Sequence, residues 1–254
     1  MRRPVLLNTL ALLPKVGSMV RLFTPQPLVE GSVVTLSEVQ RHYLSSVMRR
    51  REGGSVAVFN GVDGEFSAKI EALDRRRCSL SVRTLLRPQP PTPTRPALLF
   101  GVIKGAKLPL LVEKATELGV GEIVPVITQH CSDARRSLNL DRLRAIAAEA
   151  AEQSGRMDLP ALAEPRALAD VLSTWDRPLC VCDERGGGVP LSSAGVGPDA
   201  GILVGPEGGF SPAEFEALAS RSPGPTLVSL GAATLRTETA ALAALAILGC
   251  PPAT

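Results

Sequence analysis

Apolar and polar positions divide this chain into two differently patterned stretches. In the first, residues 55–60, 64–73 and 78–86 are short strand-like runs broken by Gly and Asp. Asn60-Gly61-Val62-Asp63-Gly64 joins two of them as a hairpin turn. A helix is predicted over residues 37–50, with Val39, Tyr43, Leu44 and Val47 along one side. These elements together predict a small β-barrel. In the second stretch strands alternate with helices. A strand at 98–103 precedes an amphipathic helix at 107–118, whose Leu108, Leu111, Val112, Ala115 and Leu118 fall at core spacing before Gly119. A strand at 122–127, a helix capped by Asn139 and running to about Gly155, and a strand at 178–182 follow. That alternation predicts an α/β domain with a largely parallel sheet.

The most informative features are two glycine-rich turns near the end. An apolar run at 200–204, suited to a buried parallel strand, leads into Gly205-Pro206-Glu207-Gly208-Gly209. Ser211 then caps a helix, Pro212 suits its first position, Glu214 completes an S-x-x-E capping box, and Phe210 and Phe215 occupy the staple positions. A second strand at 226–230 leads through Gly231-Ala232-Ala233-Thr234-Leu235-Arg236 into an alanine-rich helix at 238–248, with Thr237 as its expected cap and Gly249 and Pro251 to stop it. Glycine lets a ligand approach the backbone, and helix starts present free N–H groups. Two such turns a couple of dozen residues apart predict one pocket built from both.

Composition changes this picture in few places. Five prolines within residues 87–96 make a stiff connector between the two patterns. The net charge of +3 conceals a split: residues 19–96 carry 12 basic and 7 acidic side chains, residues 97–254 carry 13 and 18. Arg49-Arg50-Arg51 and Arg75-Arg76-Arg77 concentrate the excess. RNA fits such a surface, and solvated loop charge explains it equally well. One Trp, one Tyr and six Phe leave little for broad aromatic platforms. Cys78, Cys131, Cys180, Cys182 and Cys250 show no zinc spacing, so reduced thiols in the cytoplasm and no metal are expected. Arg2-Arg3 and the apolar run after them imitate a signal peptide without a small-x-small cleavage site. Met19 opens a second plausible start, and residues 1–18 are expected to be an extension outside the fold. No run approaches the roughly 20 apolar residues of a membrane helix.

Several familiar chemistries are excluded. The chain has no G-x-x-x-x-G-K-[ST], no G-x-G-x-x-G opening the α/β half, no G-x-S-x-G and no H-E-x-x-H, and only two histidines. The remaining motifs resemble the RsmE-type 16S rRNA uracil-N3 methyltransferases of the SPOUT superfamily. They are Gly205-Pro206-Glu207-Gly208-Gly209-Phe210, Leu230-Gly231 with Leu235-Arg236-Thr237-Glu238-Thr239-Ala240, Lys114-Ala115-Thr116-Glu117-Leu118-Gly119, Ile123-Val124-Pro125 and Glu149-Ala150-Ala151-Glu152-Gln153-Ser154-Gly155-Arg156. Arg41-His42-Tyr43-Leu44 and Phe59-Asn60-Gly61 extend the likeness to the front, so it covers residues 19 to about 249.

The resemblance implies a PUA-like RNA-binding barrel at 19–86, a linker at 87–96 and a SPOUT domain at 97–254 with a C-terminal trefoil knot. It also implies S-adenosylmethionine (SAM) as cofactor, a homodimer, and methylation of N3 of a uridine in 16S rRNA of the small ribosomal subunit. By motif, the SAM pocket falls to Leu203, Gly205, Pro206, Glu207, Gly208, Leu230, Gly231, Leu235 and Arg236, with Leu203, Leu230 and Leu235 as apolar walls. Where the family usually has a basic and a β-branched residue, this chain has Ala232-Ala233-Thr234, so Arg236 is expected to carry more of the local positive charge. Removing the uracil N3 proton needs a base. Glu238 is the first candidate, although a helix-start acid is an equal reading, and Arg236 is placed to stabilise charge on a uracil oxygen. Arg21, His42, Arg49, Arg50 and Arg156 are the RNA-binding candidates, Arg156 for a phosphate; Glu117 and Gln153 are further candidates that suit helix or dimer packing better. Two other functions fit the same motifs: a non-catalytic RNA-binding or ribosome-assembly factor, and a SPOUT methyltransferase acting on another RNA.

Overall fold

A computed structural model describes residues 19–103, 107–131 and 138–249. The chain forms two compact units that divide after Pro88. Cys250 and residues 1–18 lie outside the described residues.

The front unit holds strands β1 (Arg21–Phe23), β2 (Val33–Thr35), β3 (Ser55–Phe59), β4 (Glu65–Leu73) and β5 (Cys78–Arg87), in the order β1-β3-β4-β5-β2. β1 runs parallel to β3, and the other pairings are antiparallel. Leu22, Val34, Val56, Val58, Ile70, Leu80 and Val82 fill the core with Leu44. Asn60 builds the β3–β4 turn: its Oδ1 accepts from the Val62 and Asp63 N–H groups, and its Nδ2 donates to Asp63. The helix expected over 37–50 is shorter. Ser37 and Gln40 form a capping box for α1 (Glu38–His42), which opens into a wide π-helical turn over Tyr43–Val47, closed by the Met48 N–H on the Tyr43 carbonyl. The extra residue in that turn rotates Val47 off the packed face, and Val39 is exposed as well. Arg49 then takes a left-handed backbone (φ 50°) that ends the turn.

Arg21, an RNA-binding candidate by sequence, is not at the surface. It is buried, pairs with Glu65, and lies 4.5 Å from the centroid of the Phe59 ring. Arg87 holds the other Glu65 oxygen at 2.6 Å. A carboxylate buried inside a barrel needs such partners, and these two guanidiniums supply them.

The second unit contains β6 (Ala97–Gly101), α2 (Lys107–Glu117), β7 (Glu122–Ile127), α3 (Leu140–Ser154), β8 (Ala161–Leu162), β9 (Arg166–Ala167), α4 (Leu168–Thr174), β10 (Leu179–Cys182), β11 (Val189–Pro190), β12 (Gly201–Val204), α5 (Pro212–Ala219), β13 (Thr226–Ser229) and α6 (Thr237–Gly249). The described strands form one parallel sheet in the order β11-β13-β10-β12-β6-β7-β8, with β9 also on β7. Both faces are covered, so the strands read as unbroken apolar runs. Leu98, Phe100, Cys180, Ile202 and Val204 face one core with α2, α3 and α6; Leu99, Val181 and Leu203 face the other with α4 and the Phe210–Leu218 segment. Asn139 caps α3 through the Arg142 N–H, and Gly155 ends it at φ 81°.

The strand order positions the site. From β10 the chain passes through β11, at the sheet edge beyond β13, to β12 on the other side of β10, and then crosses back to β13. The turns after β12 and β13 therefore flank the C-terminal end of β10. α6 returns to pack on β12, β6, α2 and the 3₁₀ turn Leu191–Ser193.

Candidate active site

The C-terminal ends of β10, β12 and β13 enclose a cavity of about 1020 Å³. Its first wall is the turn Gly205–Gly209. The capping box at its exit is formed as expected, with Ser211 Oγ accepting from the Glu214 N–H and Glu214 Oε2 from the Ser211 N–H at 2.8 Å. Phe210 and Phe215 meet edge to face at 5.7 Å. Glu214 Oε1 also accepts the Gln129 N–H at 2.7 Å, and His130 Nδ1 donates to the Gly209 carbonyl at 3.0 Å. These bonds hold the turn against the end of β7. Gly209 takes φ 65°, and a Cβ there would collide with Glu184 Oε1.

The second wall is Leu230–Arg236, with Gly231 at φ 123°. Thr237, the expected side-chain cap of α6, has a different role. Its hydroxyl donates to the Gly205 carbonyl at 2.8 Å, so it ties the second turn to the first. The Arg236 carbonyl accepts the Ala240 N–H, which puts Arg236 at the cap position.

A third wall, Asp183–Gly186 after β10, carries no motif and escapes a reading of the sequence. Asp183 is buried, with its side chain 2% exposed, and accepts Arg185 Nε at 2.8 Å and Nη2 at 3.1 Å. The Arg185 hydrogen bond outweighs burial and holds the Asp183 carboxyl below its usual range. The signal available in sequence is topological: a loop following a strand between two ligand-binding turns must share their cavity.

Gly205, Pro206, Glu207, Gly208, Leu230, Gly231, Leu235 and Arg236 all line this cavity. Leu203 does not. The pleat turns it into the opposite core, and Val204 faces the cavity in its place. Arg236 lines the cavity and makes no ion pair among the described residues. Glu238 is not a lining residue, but its Oε1 lies 3.4 Å from Lys107 Nζ, which does line the cavity and sits 3.5 Å from Glu207. The Glu238 side chain is 14% exposed, and its Oε2 has no hydrogen-bond partner among the described residues.

Arg156, expected to meet a phosphate, has a buried side chain instead. Its side chain is 7% exposed, and it donates to Asp158 at 2.8 Å and to the Val120 carbonyl at 2.7 Å, closing the end of α2 onto β7. Burial lowers its pKa, Asp158 partly offsetting the effect. His42 is exposed with Nδ1 3.2 Å from Ser46 Oγ; Arg49 is exposed and Arg50 half-buried. Glu117 pairs with Lys114 at 2.8 Å, and Gln153 is exposed.

Chemically, the cavity suits a cationic nucleoside. Its volume is at the upper end of the roughly 300–1,000 Å³ of small-molecule sites. Backbone groups of two glycine turns serve a base edge, Glu207 and Glu184 serve hydroxyl and cationic groups, and Val204, Leu230 and Leu235 give apolar contact. Cys182 also lines it, yet burial pushes its thiol up to about 12, and Cys180 behind it up to about 11. Protonated thiols are poor nucleophiles, so they do not compete for an alkylating methyl group. Among the described residues no cluster of three or more His, Cys, Asp or Glu fits a metal.

Comparison with known proteins agrees with this geometry. Residues 90–249 match the RNA methyltransferase domain family, and residues 36–83 match the RNA methyltransferase PUA domain. The ribosomal RNA small subunit methyltransferase E of Rickettsia conorii is 35% identical over 231 residues, 89% of this chain and 93% of that protein. The Bacillus subtilis protein of the same name is 28% identical over 89% of this chain and 93% of its own. A Legionella pneumophila methyltransferase solved with SAM bound superposes with a TM-score of 0.82 at 29% identity, covering 91% of this chain and 96% of that one. The SAM-bound Neisseria gonorrhoeae ribosomal RNA small subunit methyltransferase E gives 0.78 at 27%, covering 90% and 96%. A PUA barrel followed by a parallel α/β domain with a SAM-sized cavity at its strand ends is thus accounted for, and the chain belongs to the ribosomal RNA small subunit methyltransferase E family of SAM-dependent SPOUT enzymes.

Proposed function

We propose that this enzyme methylates N3 of a uridine in 16S rRNA of the small ribosomal subunit. The observation that carries the reading is a single cavity in which the two glycine turns are joined by the Thr237 hydroxyl, beside an arginine with no ion partner among the described residues. SAM, when bound, supplies an electrophilic methyl group. Gly205, Glu207, Gly208, Leu230, Gly231 and Leu235 would hold it. The uracil N3–H must give up its proton for the N3–methyl bond to form, and as the proton leaves, the imide spreads negative charge onto its two ring oxygens until N3 takes the methyl group. Arg236, at the rim, donates to one of those oxygens. Glu238 stands just behind the cavity wall, one oxygen on the lining Lys107 and the other without a partner among the described residues, and is the group assigned to take the proton.

The domain roles follow. Residues 19–86 bind RNA, Arg49 and Arg50 contacting phosphates and His42 lying beside them. Residues 97–254 transfer the methyl group and form the trefoil knot, a reading supported by α6 packing against the Leu191–Ser193 turn of the β10–β12 connection after β13 has crossed β10. The working form is a cytoplasmic homodimer. No described helix is long and apolar enough to cross a membrane.

The test is transfer of labelled methyl from SAM to small-subunit particles from cells lacking this gene, followed by nucleoside analysis. The expected product is N3-methyluridine. Arg236→Ala and Glu238→Gln should lower kcat by about 100-fold, the usual weight of one charge-stabilising or general-base group. Arg236→Lys should recover only part of it. A different modified nucleoside, or full turnover in these variants, overturns the reading.

A further inference from the structure

Arg185 is used by none of the roles above, yet it is unusually well fixed. Its Cζ lies 3.5 Å from the centroid of the Phe215 ring. That spacing is the thickness of two stacked planar groups, so the guanidinium lies face to face with the ring. Nε and Nη2 are taken up by the buried Asp183 carboxylate, and Phe215 is itself braced edge-on by Phe210. The side chain nevertheless remains 54% exposed and lines the cavity between the two glycine turns. A planar cation is thus held rigid on one face and one edge and, among the described residues, open on the rest.

We propose that Arg185 is the stacking surface for the target nucleobase, with Nη1 donating to a ring carbonyl. The inference rests on the rRNA-methylating reading and names the residue that presents the base to its methyl donor. The charges around Arg185 decide between base and phosphate. Asp183 touches it and Glu184 follows Asp183 in the same loop, so two carboxylates act on one guanidinium. With both carboxylates beside it Arg185 has no net positive charge of its own to offer a phosphate, whereas a neutral base with carbonyl acceptors meets a flat cation face and an N–H edge. With so few aromatic side chains in the chain, the Phe210–Phe215–Arg185 stack supplies the platform that single aromatic rings provide elsewhere.

The experiment compares wild type, Arg185→Ala and Arg185→Lys on unmodified small-subunit particles, with SAM affinity measured separately by calorimetry. Lysine keeps the charge and the ion pair with Asp183 but has no planar face. Stacking predicts that both variants raise KM for the particles about tenfold, with SAM affinity within about twofold of wild type. Wild-type KM in Arg185→Lys, or equal loss of SAM binding in both variants, makes Arg185 a loop-holding residue and overturns the inference. Unimpaired variants beside an active wild type do the same. A folded wild type that binds SAM but methylates no small-subunit particle fails the substrate reading itself, and this inference with it.

Discussion

Thr237 couples the two ligand-binding turns through one hydroxyl. The bond from its Oγ1 to the Gly205 carbonyl is buried, and removing the donor leaves that carbonyl without its partner. Thr237→Val should therefore cost about 1–3 kcal/mol in stability and weaken SAM binding, while Thr237→Ser retains both. Urea unfolding and calorimetry measure the two effects; undiminished SAM affinity in the valine variant would show that the turns hold their spacing without the bond. At this scale the sequence is a good guide to residue type and a poor one to direction. Gly208 and Gly231 are legible because a close approach or a positive φ demands glycine, and at Gly205 a Cβ would press on the Phe210 ring at 3.2 Å. Leu203 is not, since one step along a strand buried on both faces reverses the side chain while leaving the apolar pattern unchanged. Arg21 and Arg156 illustrate the same limit for charge. An arginine that reads as a surface cation is, in each case, the partner of a buried carboxylate or of strand-end carbonyls.

At the scale of elements, the Arg21–Glu65–Arg87 group sets how the barrel responds to acid. Burial alone would raise the Glu65 carboxyl; hydrogen bonds from Arg87 and Arg21, with their charges, outweigh it and hold the group below its ordinary value of 4.5. A carboxyl with a depressed folded-state pKa contributes stability that is fully present above its unfolded value and lost as pH falls through the folded one. The front unit should therefore lose stability as pH drops from about 4.5, and the loss should be weaker in Glu65→Gln. That variant should also be less stable at neutral pH by about 3 kcal/mol, since two arginines are left facing an uncharged amide. Amide exchange in β3 and β4 reports the unit directly, and identical acid profiles for the two proteins would refute the assignment. Periodicity locates nearly every long element, because amphipathic spacing and caps such as Ser211–Glu214 are local. α4 and the two-residue strands β8, β9 and β11 escape it, being too short to complete a pattern. The helix at 37–50 is overextended in sequence because its wide turn preserves apolar spacing up to Leu44 and then loses it.

For the whole molecule, the split in charge distinguishes the two stretches and makes the RNA-binding role proposed for the first one testable. The excess of basic residues in 19–96 includes Arg49-Arg50-Arg51, whose side chains are exposed or half-buried. Replacing all three with alanine should lower RNA affinity and flatten its salt dependence by roughly 0.7–0.9 log units for each phosphate that the cluster neutralises. SAM affinity should be unchanged. Equal salt slopes for variant and wild type would remove this cluster from the RNA surface. The sheet order carries the remaining consequence. Because β13 and α6 come last in the described chain and supply both the second wall and the Thr237 bond, no earlier portion of the polypeptide can form the cavity. A nascent chain still holding these segments inside the exit tunnel cannot bind SAM, however well its barrel and first strands have folded. On the proposed roles, the front barrel can therefore fold ahead of the SAM pocket, which is complete only once α6 has emerged.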